Sequence, residues 1–188
     1  MAISRTNILL HGFKGKLADY VVRRWGESTV LSKKPNTKHR RWSKLQKSNR
    51  QRFREAMAYA RRVLSNPEMR AYYARKKRKM QTTWNVAVAD YLLNPSIDLI
   101  DIREYNGKPG EQIYITTHDK YWVESVVVSI LDSQGIEIES GPAVRDFGFN
   151  FTYTTFALNP CLKGCKVVVT AFDVPGNEVS DFTMIEQV

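Results

Sequence analysis

Lys44, Lys47, Arg50, Arg54 and Arg61 recur at intervals of three, four and seven residues, and Arg75, Lys76, Lys77, Arg78 and Lys79 follow as an unbroken run. Steps of three and four put side chains on one helical face, from which cations can meet successive phosphates of a nucleic acid. From Trp42 to Lys79 there are 13 Lys/Arg against only Glu55 and Glu68. An ordinary solvated face mixes both signs, so this stretch is set up to attract a polyanion. Trp25, Trp42, Tyr59, Tyr72 and Tyr73 lie among these cations and could stack on exposed bases. Most of them also fall on the apolar stripe, where packing in a core accounts for them.

Other residue sets with chemical potential have plainer explanations. Cys161 and Cys165 lie four apart in Pro-Cys-Leu-Lys-Gly-Cys, and only His11, His39 and His118 could add imidazole ligands, so free thiols are expected rather than a metal site. A loop disulfide would require an oxidising compartment. Asp132, Asp173 and Asn177 could join Asp98, Asp101 or Glu139 around calcium, but Asp and Asn ahead of Gly are turn formers first. His118-Asp119 is the one adjacent imidazole–carboxylate pair, and turn chemistry explains it without a nucleophile. Phosphate-binding glycine loops and H-E-x-x-H are missing from the sequence. A non-enzymatic protein with no cofactor is the expectation.

The elements needed to position the cations follow from periodicity. Ser43 can cap a helix beginning near Lys44, with Leu45, Phe53, Ala56, Met57, Ala60, Val63 and Leu64 as its apolar stripe. At Ser65-Asn66-Pro67-Glu68 a second helix starts, either with Asn66 as cap and Pro67 at its first position or with a Ser65/Glu68 capping box. It is expected to reach Met80, and Thr82 or Thr83 then caps a third helix that ends at Asn94-Pro95. Before these helices, Asp19 to Trp25 and Ser28 to Ser32 read as a hairpin about Gly26-Glu27.

Past Pro95 the period becomes two, with strands expected at 97–105, 112–117, 121–131, 136–139, 150–158, 166–172 and 178–185. Seven short strands in some ninety residues have the rhythm of an immunoglobulin-like sandwich. Charge divides the chain at the same place. Residues 1–95 hold 23 Lys/Arg and 5 Asp/Glu, a net +18, and residues 96–188 hold 6 and 14, a net −8.

The stretches VESVVVSILDSQGIEIESG and CKVVVTAFDVPGNEVSDF also resemble bacterial immunoglobulin-like domains, in which one strand ends in D-x-x-G and a late strand in A-x-D-x-x-G-N. Asp132 and Gly135, then Ala171, Asp173, Gly176 and Asn177, occupy those places. The resemblance implies the fold and leaves function open, because such domains serve as spacers, adhesins and assembly modules. The first half resembles small uncharacterised bacterial and phage-associated proteins in Gly12, Gly15, Val22 to Arg24, Gln46, Arg50, Arg52 and Phe53.

The expected architecture is α+β: a basic helical module with a β-hairpin lead-in over residues 1–95, then an acidic immunoglobulin-like β-sandwich over 96–188. The expected function is nucleic-acid binding by Lys44, Lys47, Arg50, Arg54, Arg61 and Arg75 to Lys79 through phosphates, with weak sequence selectivity, while the sandwich contacts protein. The alternative is a structural, phage-type protein that self-associates through its basic and acidic halves; an adhesin or sugar-binding sandwich comes third. The N-terminal apolar run Ile8 to Leu10 is too short for a signal-peptide core and nothing reaches membrane-spanning length, so a cytoplasmic protein is expected.

Overall fold

Two compact units, Met1–Asn49 and Arg50–Val188, make up the chain. The computed structural model describes residues 2–4, 13–26, 28–35 and 41–185; His11, Gly12, Glu27 and His39 lie outside them. In the first unit, β1 (Ala2–Ser4), β2 (Gly15–Leu17), β3 (Tyr20–Trp25) and β4 (Ser28–Lys33) form an antiparallel sheet in the order β1-β4-β3-β2. The expected hairpin is its centre, and Val22 and Val30 are its buried residues.

Helix α1 (Lys44–Val63) opens with a reciprocal capping box, in which Gln46 N donates to Ser43 Oγ at 3.2 Å and Ser43 N donates to Gln46 Oε1 at 3.1 Å. Helix α2 (Pro67–Lys76) takes the Asn66 option: Asn66 Oδ1 accepts from Glu68 N at 2.8 Å and from Met69 N at 3.4 Å. Ser65 instead turns its hydroxyl back to the Arg62 carbonyl. Replacing Asn66 with Ala should lower stability by about 1 kcal/mol in urea unfolding, and Asn66→Ser should recover most of it. Helix α2 ends at Lys76, short of the expected Met80, because Lys77 is extended and Met80 takes φ +70°. Thr82 caps α3 (Thr83–Leu92), its hydroxyl accepting from Asn85 N at 3.1 Å.

Strands β5 (Ser96–Asp101), β6 (Gln112–His118), β10 (Asn150–Thr154) and β9 (Val144–Arg145) form one antiparallel sheet in that order. Strands β12 (Glu178–Met184), β11 (Lys166–Asp173), β7 (Val123–Leu131) and β8 (Glu137–Pro142) form another. Alternate residues of both, among them Ile113, Ile115, Phe151, Val126, Val128, Val167 and Val169, share one buried core. The molecule is therefore α+β with three antiparallel sheets. Among the described residues, no helix is long and apolar enough to cross a membrane.

The helices from Arg50 onward belong to the unit that contains these eight strands, whereas the charge and periodicity change had put a boundary at Pro95. The physical reason is a set of ties across that point. Tyr121, from the β6–β7 connection, is buried with Ala56, Tyr73 and Val86 in the core of the helices. Asn177 Nδ2, in the β11–β12 turn, donates at 3.2 Å to both Tyr91 O and Leu93 O at the end of α3. With this division, residues 50–188 hold 17 Lys/Arg and 17 Asp/Glu, and residues 1–49 hold 12 and 2.

Candidate nucleic-acid interface

On α1 the side toward the core carries Ala56, Tyr59 and Ala60, all buried. Arg54 and Arg61 sit one heptad apart on the opposite side and are exposed, with Arg50 exposed near them. Seven residues of helix advance the chain about 10 Å, so these cations space out along the helix axis rather than crowd. Lys44 and Lys47, in the first turns of α1, are exposed in the N-terminal unit. Leu45 and Phe53, assigned to the buried stripe from their spacing, are instead 71% and 47% exposed. The stripe that packs begins only at Ala56.

The run Arg75 to Lys79 divides. Arg75, Lys77, Arg78 and Lys79 are exposed, spanning the end of α2 and the connection to α3. Lys76 turns inward. Its ammonium donates to Tyr121 O at 2.9 Å and lies 4.9 Å from the centre of the Trp122 ring and 5.5 Å from that of Tyr72. Arg145 lies 4.2 Å from the Trp122 ring and 4.3 Å from that of Phe151, and its guanidinium donates to the carbonyls of Gly148 and Val123. Burial lowers the pKa of Arg145. Lys76 is thus a structural cation that fastens α2 to the β6–β7 connection.

Of the aromatics, Tyr73 and Tyr59 are buried while Trp25, Trp42 and Trp84 are exposed at 68%, 41% and 37%. Tyr59 and Tyr73 share a hydroxyl–hydroxyl hydrogen bond of 2.7 Å, and Tyr73 OH donates to Asp90 Oδ2 at 2.7 Å. Asp90 is 1% exposed. Burial, reinforced by the charges of Asp119 and Asp173, pushes its pKa up to about 7 against the pull of the Tyr73 hydrogen bond and of Lys76. Burial likewise raises Tyr59, Tyr72 and Tyr73. These tyrosines hold the helices together from within and are not available to stack on bases. Neither Asp90 nor Trp122 stood out in the sequence; an aspartate inside the apolar stretch Ala87 to Leu92 was the one available signal.

The residues weighed for metal and catalysis have structural partners. Asp132 Oδ1 accepts from Gln134 N and Ile136 N, Asp173 Oδ1 from Asn177 N, and Asp119 Oδ2 from Trp122 N. Cys161 is a free, exposed thiol and Cys165 a free, buried one whose Sγ donates to Cys161 O at 2.8 Å. Among the described residues, no three His, Cys, Asp or Glu side chains gather as metal ligands.

No protein-family model, curated protein or solved structure matches this chain.

The electrostatics of the surface are decided by pairing. Arg103 and Asp101 form an ion pair at 2.5 Å, and the Arg103 hydrogen bonds hold the carboxyl of the half-buried Asp101 down to about 2.

Proposed function

We propose that this protein is a non-enzymatic nucleic-acid-binding protein, using the exposed cations of the helices to contact phosphates with little sequence selectivity. In the second unit the footprint is Arg54, Arg61, Arg75, Lys77, Arg78 and Lys79, flanked by Arg50; in the first it includes Lys44 and Lys47. The observation that carries this reading is the exposed cations: Arg54, Arg61, Arg75, Lys77, Arg78 and Lys79 all lie at the surface of the second unit, away from the Arg103–Asp101 ion pair. An exposed cationic field gains free energy by displacing the counterions condensed on a polyanion. The strands are read as immunoglobulin-like, a protein-contacting part, on the support of two antiparallel four-stranded sheets around one core.

A salt titration of binding to a random-sequence duplex tests this. With six or more phosphate contacts, affinity should fall about a thousandfold between about 50 and 200 mM salt. Changing Lys77, Arg78 and Lys79 together to Glu, with Lys76 left in place, should flatten the logarithmic salt slope by roughly 3. Absence of binding at low salt would sink the proposal.

A second reading draws on a different observation. Within residues 50–188 the helical part carries 11 Lys/Arg and 3 Asp/Glu and the strands 6 and 14, so the unit is neutral but strongly dipolar. Such a unit can stack head to tail with other copies. That reading predicts particles in light scattering that high salt disperses and that the same triple change disperses too.

A further inference from the structure

The two sheets of the second unit show unlike faces to the outside. On β6 and β10 the residues alternating with the buried Ile113, Ile115, Phe151 and Tyr153 are Gln112, Tyr114 and Thr116, opposite Thr154, Thr152 and Asn150. Over these two strands the face is polar, with Tyr114 OH hydrogen-bonded to Glu104 and Gln112, while the exposed Leu99 and Val144 flank it on the edge strands. The other sheet differs. In register across it, Lys166 lies between Met184 and Leu131, Val168 between Phe182 and Ser129, Thr170 between Ser180 and Val127, and Phe172 between Glu178 and Ser125.

Six of these residues, Val127, Leu131, Val168, Phe172, Phe182 and Met184, are large and apolar, yet none belongs to or packs against either hydrophobic core. Phe182 and Met184 are 51% and 52% exposed. An antiparallel sheet with a solvated face ordinarily alternates apolar with polar residues, as the first sheet does. Here the outer face sets these six apolar side chains, four of them half-buried and two exposed, among its polar ones. The polar side chains between them are already paired: Ser129 with Ser140 at 2.7 Å and Thr170 with Ser180 at 2.9 Å. Lys166 Nζ lies 3.5 Å from the centre of the Phe182 ring.

We propose that this outer face of β12-β11-β7-β8 is a dimer interface, and that a second copy of the same chain covers it with the same face. The features of the face fit a like partner. Four of its hydroxyls pair within the sheet, so apolar burial supplies most of the drive for the contact. Its charges stand in the end rows only, Lys166 and Glu137 at one end and Glu178 at the other. A two-fold axis running across the strands brings Lys166 of each copy to the end that holds Glu178 of the other. Four strands about 4.8 Å apart and about 27 Å long give a face of about 500 Å², hence about 1,000 Å² buried in the pair, the size at which specific interfaces begin. Sheets stacked in this way sit about 10 Å apart with side chains interdigitated.

Sedimentation of the full chain in about 1 M NaCl tests the inference, because that salt screens charge-driven stacking and leaves apolar burial in place. The wild type should sediment as a dimer. Phe182→Asp, at a half-exposed edge position, and Val168→Asp should each raise the dimer dissociation constant roughly 100-fold or more, since each change acts twice in a two-fold contact. Thr152→Asp, on the polar sheet, should leave the dimer unchanged. Circular dichroism and melting of Phe182→Asp show whether the fold survives, and that variant decides the matter if Val168→Asp does not fold. A wild type that stays monomeric up to about 100 µM would overturn the proposal. So would a dimer that persists in folded Phe182→Asp, or an oligomer seen only at low salt.

Discussion

The folded state should lose about 3 kcal/mol of stability between pH 5 and pH 8, with urea unfolding midpoints falling as the solution becomes less acidic. Asp90 is responsible. Its carboxyl titrates near 3.8 when the chain is unfolded and near 7 when buried against Tyr73, chiefly because burial penalises the charged form. Below about pH 4 both states hold the proton and the stabilising contribution is complete. Between about 4 and 7 the unfolded chain releases the proton while the folded one keeps it, so unfolding gains and stability falls; above about 7 the loss is complete. Asp173 is raised by burial as well, so it acts in the same direction. Asp101, held low by Arg103, titrates below this window.

Asp90→Asn isolates the effect. An amide oxygen can still accept from Tyr73 and carries no charge, so this variant should show little change from pH 5 to 8. It should also be more stable than the wild type at pH 8 by about 2 kcal/mol. A wild type that gains stability from pH 5 to 8, or an Asn variant with the same pH profile, would refute the buried neutral carboxyl.

The second large effect separates neighbours in the basic run. Lys76→Glu should destabilise the protein by about 3 kcal/mol, because it removes a charged donor from Tyr121 O, abolishes two cation–π contacts and sets a carboxylate near the buried Asp90. Lys77→Glu, one residue on and exposed, should change stability by less than about 0.5 kcal/mol. Thermal melts of the two variants at pH 7 make the comparison, and equal melting temperatures would contradict the inward placement of Lys76. Charge reversal through Lys76 would thus confuse unfolding with loss of binding, which is why the titration proposed above spares it.

Signals in the sequence are legible where the chemistry is local. Asn66-Pro67 begins α2 as cap and first residue, and Thr82 begins α3. The D-x-x-G stretches Asp132 to Gly135 and Asp173 to Gly176 make matching turns, each glycine at positive φ and each aspartate accepting from a backbone N–H four residues on. Three-dimensional neighbours were less legible. Periodicity gave Leu45 and Phe53 the right face but not the reach of the partner surface, which starts at Ala56. Five consecutive cations look equivalent in a line, and only the aromatic residues Tyr72 and Trp122 around Lys76 single it out. The two-residue strand β9 carries too short a pattern to be seen. Charge changes sign at Pro95, but Tyr121 and Asn177 join what it divides.

The Asn177 amide that closes the end of α3 has a consequence for how the chain is made. It lies 84 and 86 residues beyond the carbonyls it satisfies. At roughly 5 to 20 residues per second, a ribosome needs about 4 to 17 s to deliver it after α3 has been synthesised. Helices form and melt within about a microsecond, so the basic helices pass through about a million or more of their own relaxation times before their clasp arrives. For about the first third of that interval the surface of Tyr73 and Val86 has no Tyr121 to close over it, and the β11–β12 turn is missing throughout. The helices are made before the eight strands they share a unit with, and their last contacts wait for the β11–β12 turn.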